Sequence, residues 1–351
     1  MPRGAGFEAE VIKSATEAEK AGEVAPFQVV EVTRATHDAM AEWPKPGLVT
    51  HSWPSLQGRP SSMILQPGDK IDVTVWNTED NSLLSGVGQR SAQVLNARVA
   101  ADGSVFLPFL GGLDVQGKTT EEVRDLIEQE YAYSIPSAQV QIVVTPGLEN
   151  TANVVAGVSA PGVYPLEQRN TSVLTLLSMA GGVQGALNNP QLRLMRGGTV
   201  FGISMARLYE NAALDTTIMG GDRIVVEADQ RTFLSLGAAG SEAVHHFPTD
   251  DLTALEALSV IGGVTDERAN PQGILILRTY PANSLRTNGT GPTHEQVVFT
   301  LNLTTAEGLF SAGEFQILPD DLVYVTETPV TTARTIMGLL GSAFGLANQV
   351  N

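Results

Sequence analysis

The stretch Ser172–Val183, SVLTLLSMAGGV, recurs as TALEALSVIGGV at Thr253–Val264, and this recurrence decides the fold. The offset between the two copies is a constant 81 residues. It extends without a gap to Gln191 against Gln272, after which the second copy carries one inserted residue. A repeat of this length indicates one supersecondary unit that is present twice.

Each copy combines helix and strand signals. A short helix is predicted over Ser172–Ala180 in the first copy and over Thr253–Ile261 in the second, and each is followed by two glycines. Glycine is favoured there because the residue after a helix often adopts a left-handed conformation. Each copy closes with an alternating strand pattern, at Gly221–Val226 and at Pro319–Val325. The repeats are therefore predicted to be α+β units.

A different unit precedes the repeats. Alternating apolar residues at 71–75 and at 140–144 predict two strands. Asp102-Gly103 is a hairpin signal. Thr119 and Glu122 have the spacing of a capping box, which predicts the start of a helix. Strand, hairpin, helix and strand together make a compact α+β domain.

These patterns predict an α+β multidomain protein, as the length of 351 residues also favours. Near the N-terminus, valines at 29–32 predict one strand, and the prolines of Trp43–Pro60 exclude a regular helix. The predicted segments are an N-terminal extended segment with one strand (1–62), an α+β domain (63–147), the first repeat (148–229), the second repeat (230–329) and a C-terminal amphipathic helix (330–351).

Composition excludes several classes of function. The formal net charge of -17, from 21 basic and 38 acidic residues, argues against nucleic-acid binding. The absence of cysteine removes disulfides, thiol catalysis and zinc–thiolate sites. No apolar run reaches the length of about 18 residues that a single membrane-spanning helix needs. The N-terminus as written has no signal-peptide pattern.

Several segments resemble one known family, the outer-membrane polysaccharide export proteins, or Wza-type capsule translocons. Leu65–Trp76 is similar to the opening of the polysaccharide export domain, and Ala101–Gly111 to its central hairpin. The two repeats resemble the soluble ligand-binding β-grasp (SLBB) domains that follow it, and Glu314–Thr326 resembles the closing segment. The order and spacing of these motifs carry the resemblance over roughly residues 27–351.

The resemblance implies a ring-shaped homo-oligomer, an octamer in the best-known members, that forms a passive pore for capsular or extracellular polysaccharide. Most of the protein would lie in the periplasm, and C-terminal helices would cross the outer-membrane lipid as an α-helical barrel. The implied partner is an inner-membrane polysaccharide copolymerase with an associated tyrosine kinase. Members are usually lipoproteins anchored through an N-terminal cysteine. We expect that a signal peptide and this cysteine have been removed here.

The C-terminal residues support a helix of this kind on their own pattern. Residues 331–351 would span about 30 Å as a helix, close to the hydrocarbon core of a bilayer. On a helical wheel the face predicted to contact membrane consists of Ile336, Leu339, Leu340, Ala343, Phe344, Leu346, Ala347 and Val350. The face predicted to line the lumen consists of Arg334, Gly338, Gly341, Ser342, Gly345, Asn348 and Gln349. Such a helix suits a ring around water better than a lone span.

Two alternatives to the pore stay open at this point. The C-terminal helix could pack on its own protein, which would leave a soluble periplasmic carbohydrate-binding or adaptor protein. An exopolysaccharide-processing enzyme would need a catalytic constellation, and none is evident. His245-His246 would point to opposite faces of a strand, and Asp320-Asp321 has a counterpart in Gly221-Asp222, which indicates a structural role. No catalytic residue, cofactor or metal site is predicted.

Overall fold

A computed structural model describes residues 6–54, 64–76, 91–133, 139–166, 170–264, 268–286 and 288–328. Its eight α-helices and sixteen β-strands within these ranges confirm the predicted α+β class. The chain divides into two compact units. The central unit is Thr50–Ala228, and the terminal unit combines Met1–Val49 with Asp229–Asn351. The five predicted domain limits are finer than this division and stay a prediction.

The leader of the terminal unit has more helix than the sequence analysis predicts. Its elements are α1 (Glu8–Val11), α2 (Lys13–Ala21), β1 (Gln28–Glu31) and α3 (Arg34–Met40). The single strand is found where it was expected, but the prediction of an otherwise extended segment is wrong. Helix α2 is followed by Gly22 in the left-handed conformation. Thr33 caps the start of α3, and its hydroxyl accepts a hydrogen bond from the Thr36 amide.

The central unit begins with the domain predicted ahead of the repeats. Its elements are β2 (Lys70–Trp76), β3 (Ser91–Arg98), β4 (Ser104–Leu107), β5 (Gly111–Asp114), α4 (Thr120–Ala132) and β6 (Gln139–Thr145). Strand β2 lies between β3 and β6 in an antiparallel sheet. The capping box is confirmed, because the Glu122 amide donates to Thr119 Oγ1 and the Thr119 amide donates to Glu122 Oε2.

The hairpin of this domain differs from the prediction. Asp102 and Gly103 do form a turn, with Gly103 left-handed at φ 83°. However, β4 pairs with the following strand β5, with Ser104 opposite Asp114, rather than with β3. The two-residue signal locates a turn correctly, but the hairpin forms across the next turn, at residues 108–110, where Phe109 is left-handed at φ 67°.

The two repeats have the same element order, which confirms the recurrence. The first contains β7 (Thr151–Ala156), β8 (Gly162–Pro165), α5 (Val173–Met179), β9 (Gln191–Arg196), β10 (Thr199–Ser204), α6 (Met205–Glu210) and β11 (Arg223–Glu227). The second contains β12 (Thr232–Gly237), β13 (Ala243–His246), α7 (Ala254–Val260), β14 (Ala269–Thr279), β15 (Gln296–Leu301), α8 (Ala306–Glu314) and β16 (Leu322–Glu327).

The closing strand of each repeat lies at the centre of its sheet. Sheet order is β10-β9-β11-β7-β8 in the first repeat and β15-β14-β16-β12-β13 in the second. Strands β11 and β16 run parallel to the first strand of their repeat and antiparallel to the third. In the terminal unit the leader strand β1 extends the sheet by pairing parallel to β15. The second repeat therefore shares one continuous sheet with the leader.

A buried aspartate immediately precedes each central strand. Asp69 stands before β2, Asp222 before β11 and Asp321 before β16, and each is at most 1% exposed. In all three turns a carboxylate oxygen accepts a hydrogen bond from the amide three residues earlier, at 2.7–2.8 Å. The residue before each aspartate is left-handed: Gly68, Gly221 and Asp320. The structural role predicted for Asp222 and Asp321 is therefore confirmed.

The three aspartates differ in their remaining partners. Asp69 accepts hydrogen bonds from the Gly147 amide and from Asn150 Nδ2, both at 2.6 Å. Asp222 and Asp321 are each bound through both carboxylate oxygens by an arginine, Arg196 and Arg278 respectively. Burial of a carboxylate is costly without such partners.

The Asp69 turn predicts a sensitive glycine. A methyl group on Gly147 would lie 2.5 Å from the Gly68 carbonyl carbon, although the Gly147 backbone is extended and accepts any residue. Gly147→Ala should therefore lower the free energy of unfolding by about 1–3 kcal/mol through overpacking. Gly112→Ala is the control because that position faces open space. Equal denaturant midpoints for the two variants would contradict the role given to Gly147.

Candidate functional site

The residues predicted to form the pore, 330–351, lie outside the described residues. The assignment of membrane-facing and lumen-facing side chains therefore stays a prediction. Among the ranges that the structure does describe, no helix is long and apolar enough to cross a membrane.

The terminal unit brings the beginning of the leader beside the end of its central strand. The Gly6 amide donates to Tyr324 Oη at 2.7 Å, and the Glu327 amide donates to the Gly6 carbonyl at 3.3 Å. The Thr328 hydroxyl donates to the Ala269 carbonyl at 2.6 Å. The last described residues, Glu327 and Thr328, thus lie next to the start of the leader.

A cavity of about 240 Å³ lies in the terminal unit. It is bordered by α3, by the start of the proline-rich strap that follows α3 (residues 41–54), and by the end of α8. Its floor contains Arg278, Phe299 and Phe315, which are at least nine-tenths buried. The polar and aromatic groups around it are His37, Trp43, Lys45, Tyr280, Glu314 and Gln316. The cavity therefore combines an aromatic wall with several hydrogen-bonding side chains.

Trp43 is held in this cavity wall by specific contacts. Its indole N–H donates to the Gly289 carbonyl at 3.1 Å, and its ring centroid is 6.1 Å from those of Tyr280 and Phe299. The strap then passes closely over the Asp321 turn, where a Cβ on Gly47 would be 2.9 Å from Pro319 Cβ. Trp43 therefore packs against aromatic side chains of its own unit, and it also lines the cavity.

The electrostatics of the floor are dominated by one ion pair. Arg278 donates through Nε and Nη2 to the two oxygens of Asp321, both at 2.8 Å, and Nη2 also donates to the Gln316 carbonyl. Burial alone would lower the pKa of Arg278, but attraction to Asp321 and the hydrogen bonds between them raise it above its usual value. The guanidinium therefore stays charged, and its centre lies 5.1–5.2 Å from the rings of Phe299 and Phe315.

The remaining groups of the cavity offer both donors and acceptors. Arg278 Nη1 makes only a long contact, 3.4 Å, with Tyr280 Oη. Burial raises the pKa of Tyr280, although the charge of Arg278 lowers it, so the phenol keeps its proton at neutral pH. At the rim, Lys45 Nζ donates to Gln316 Oε1 at 2.6 Å, and His37 Nδ1 lies 3.8 Å from Glu314 Oε2.

The central unit contains a counterpart of Trp43. Trp53, which is also followed by proline, donates its indole N–H to the Leu214 carbonyl at 2.7 Å and packs on the core of the first repeat. The neighbouring His51 contacts Arg193 on β9 at 2.8 Å. Each unit is therefore bound by one Trp-Pro dipeptide of the strap.

Exposed apolar side chains recur in the two repeats at the same offset of 81 residues. The equivalent pairs are Val155 with Leu236, Val163 with Val244 and Met179 with Val260. Val163 lies on β8 and Val244 on β13, the outermost strands at that edge of their sheets. Val163 is 56% exposed and Val244 is 64% exposed. Two diverged copies of one fold thus expose apolar groups at the same places.

The adjacent histidines His245 and His246 lie on opposite faces of their strand, as the sequence analysis predicts. His245 stacks on Phe233 and lies 2.8 Å from Ser235 Oγ, whereas His246 on the opposite face is exposed. In the described part of the chain, no three histidine or acidic side chains are grouped so that they could hold a metal ion.

Comparison with known proteins finds one family match and several relatives. The family described as polysaccharide biosynthesis/export protein matches residues 57–145. The capsule polysaccharide export outer membrane protein CtrA of Neisseria meningitidis is 27% identical, over 84% of this chain and 80% of CtrA. The capsule polysaccharide export protein BexD of Haemophilus influenzae is 26% identical, over 78% of this chain and 74% of BexD. Over most of its length the chain is therefore similar to outer-membrane polysaccharide export proteins.

The family match coincides with the first domain of the central unit, from before β2 to β6. The relatives extend the likeness far beyond that domain. A third one, the EPS I polysaccharide export outer membrane protein EpsA of Ralstonia nicotianae, is 26% identical over 78% of this chain and 73% of EpsA. All three are named for export rather than for an enzymatic reaction.

Sequence reasoning missed the arginine partners of Asp222 and Asp321. A signal was nevertheless present, because Gln66-Pro-Gly-Asp69, Met219-Gly-Gly-Asp222 and Leu318-Pro-Asp-Asp321 share an aspartate at the fourth position before a strand. Arg196 and Arg278 also occupy corresponding places in the third strand once the inserted residue of the second repeat is counted.

The buried pair of Arg278 and Asp321 gives a stability prediction. Asp321→Ala leaves Arg278 charged and buried without its partner, so it should lower the free energy of unfolding by about 3–5 kcal/mol. Asp320→Gly is the control, because that side chain is exposed and its backbone is left-handed. Chemical denaturation measures both variants, and a loss for Asp321→Ala no greater than for Asp320→Gly would refute the role of the pair.

Proposed function

We propose that this protein exports capsular or extracellular polysaccharide across the outer membrane, as a passive conduit built by several copies in a ring. The family match at residues 57–145 carries the proposal, together with relatives that are named capsule or EPS export proteins. Those relatives favour export over a soluble adaptor. The repeats act as β-grasp domains in the periplasm, and an inner-membrane copolymerase with its tyrosine kinase is the partner that delivers the polymer.

The proposed route through the membrane uses residues 330–351. Their apolar half would face lipid and their small and polar half would face a water-filled lumen, which is possible only for several helices in a ring. The position of Glu327 beside Gly6 supports this arrangement. A lipid anchor ahead of the leader and a helical segment after residue 328 would both have to reach one membrane, which agrees with this proximity of Glu327 and Gly6.

The membrane route predicts opposite effects for two lysine substitutions. Leu340→Lys puts a charge on the lipid-facing side and should abolish channels in planar bilayers, since such a charge costs about 2.5–3.5 kcal/mol in each copy. Asn348→Lys lies on the lumen face and should keep the channel while changing its ion selectivity.

A shortened chain provides the control for folding. Deletion of residues 331–351 should remove channel activity while the thermal unfolding of the two units stays unchanged. Full conductance from the Leu340→Lys protein would overturn the proposed orientation of the helix.

The recurring apolar positions are proposed as contacts between neighbouring copies in the ring. Both repeats of every subunit would meet a neighbour, which accounts for the same exposed positions occurring twice. Paired substitution Val163→Lys with Val244→Lys should raise the concentration needed for half assembly at least about tenfold, or 1.4 kcal/mol.

Native mass spectrometry in detergent measures this assembly. Val143→Lys is the matched control, because Val143 is similarly exposed on β6 but lies outside the repeats. Unchanged rings in the paired variant would show that these edges are not subunit contacts.

A further inference from the structure

We propose that the cavity beneath Trp43 binds one neutral pyranose unit of a glycan, and that the exported polymer supplies it. The second part rests on the proposed function, whereas the first depends only on the cavity. Ligand sites typically pair an apolar, aromatic lining with a few placed polar groups, and this cavity has that composition.

The charges around the cavity favour an uncharged ligand. The guanidinium of Arg278 is neutralised by Asp321, which it contacts through two hydrogen bonds. Lys45 and Glu314 also line the cavity, so its remaining charged side chains contribute one charge of each sign and no net charge. A ligand with a full charge would be attracted by one of them and repelled by the other.

The hydrogen-bonding groups suit adjacent hydroxyls. Arg278 is nine-tenths buried and lines the cavity, and its Nη1 makes a 3.4 Å contact with Tyr280 Oη. This guanidinium can donate to a ligand oxygen. Lys45, which also lines the cavity, can donate, and Glu314 can accept. A sugar hydroxyl both donates and accepts a hydrogen bond. Neighbouring hydroxyls of a sugar are therefore best bound by a site that offers both donors and acceptors.

The apolar wall suits the other side of a sugar ring. Trp43 and Met40 line the cavity, and the contacts of Trp43 with Tyr280 and Phe299 fix its ring in place. A pyranose presents C–H groups on its face and hydroxyls around its edge. The volume of about 240 Å³ is below the range of about 300–1,000 Å³ for drug-sized ligands, so it accommodates a single unit.

Saturation-transfer NMR on the full chain in detergent tests the site. The probes are glucose, galactose, mannose and N-acetylglucosamine, with glucuronate as the charged comparison. At least one neutral sugar should bind, and more tightly than glucuronate. Trp43→Phe should weaken binding about tenfold, and Glu314→Leu should weaken it similarly. No binding by any neutral sugar, or preference for glucuronate, overturns the proposal.

Matched variants separate the site from the rest of the protein. Trp53→Phe removes the other indole that is hydrogen-bonded to a carbonyl, and Glu307→Leu removes an exposed carboxylate from the same helix as Glu314. Both should bind sugar like the wild type. Equal loss in Trp43→Phe and Trp53→Phe, with thermal unfolding unchanged, would place the binding elsewhere and refute the cavity.

Polymer purified from the producing cells tests the link with export. It should displace the bound monosaccharide, and failure to do so overturns the assignment of the ligand to the exported polymer. Channel recordings keep this result separate from the proposed function. A protein that binds sugar without forming channels would contradict the conduit, whereas a channel without sugar binding would contradict the cavity.

Discussion

A carboxylate buried immediately before the central strand is the constraint on which the three largest sheets of the described structure depend. Asp69, Asp222 and Asp321 each close a turn onto the amide three residues earlier, so the position at which β2, β11 or β16 begins is fixed. These strands have neighbours on both sides. A shift of one residue would move every apolar side chain to the opposite face, and the buried charge would lose its donors.

The partner of each aspartate links this constraint to its surroundings. The backbone amide of Gly147 and the side chain of Asn150 donate to Asp69, and they hold its turn against the segment that follows β6. In the terminal unit the partner is Arg278, which also contacts the Gln316 carbonyl and lies over two aromatic rings. The interaction that begins β16 therefore also shapes the floor of the cavity. The guanidinium of Arg278 thus both holds the aspartate before β16 and lines the cavity.

Local signals made much of this fold predictable. The capping box at Thr119, the paired glycines after α5 and α7, and the offset of 81 residues all depend on neighbours close in sequence. The pairing of β1 with β15 and of Arg278 with Asp321 depends on residues far apart, and periodicity carries no information about them. The cavity was not predictable for the same reason. It forms only when the leader and the second repeat pack together.

The hydrogen bond between Gly6 and Glu327 has a mechanical consequence. Traction on the chain beyond residue 328 enters the terminal unit through β16, which lies between β14 and β12. Two ladders of backbone hydrogen bonds must then shear together, whereas an outer strand would peel away one bond at a time. Traction at that end would thus act on a strand held from both sides, with the beginning of the leader beside it.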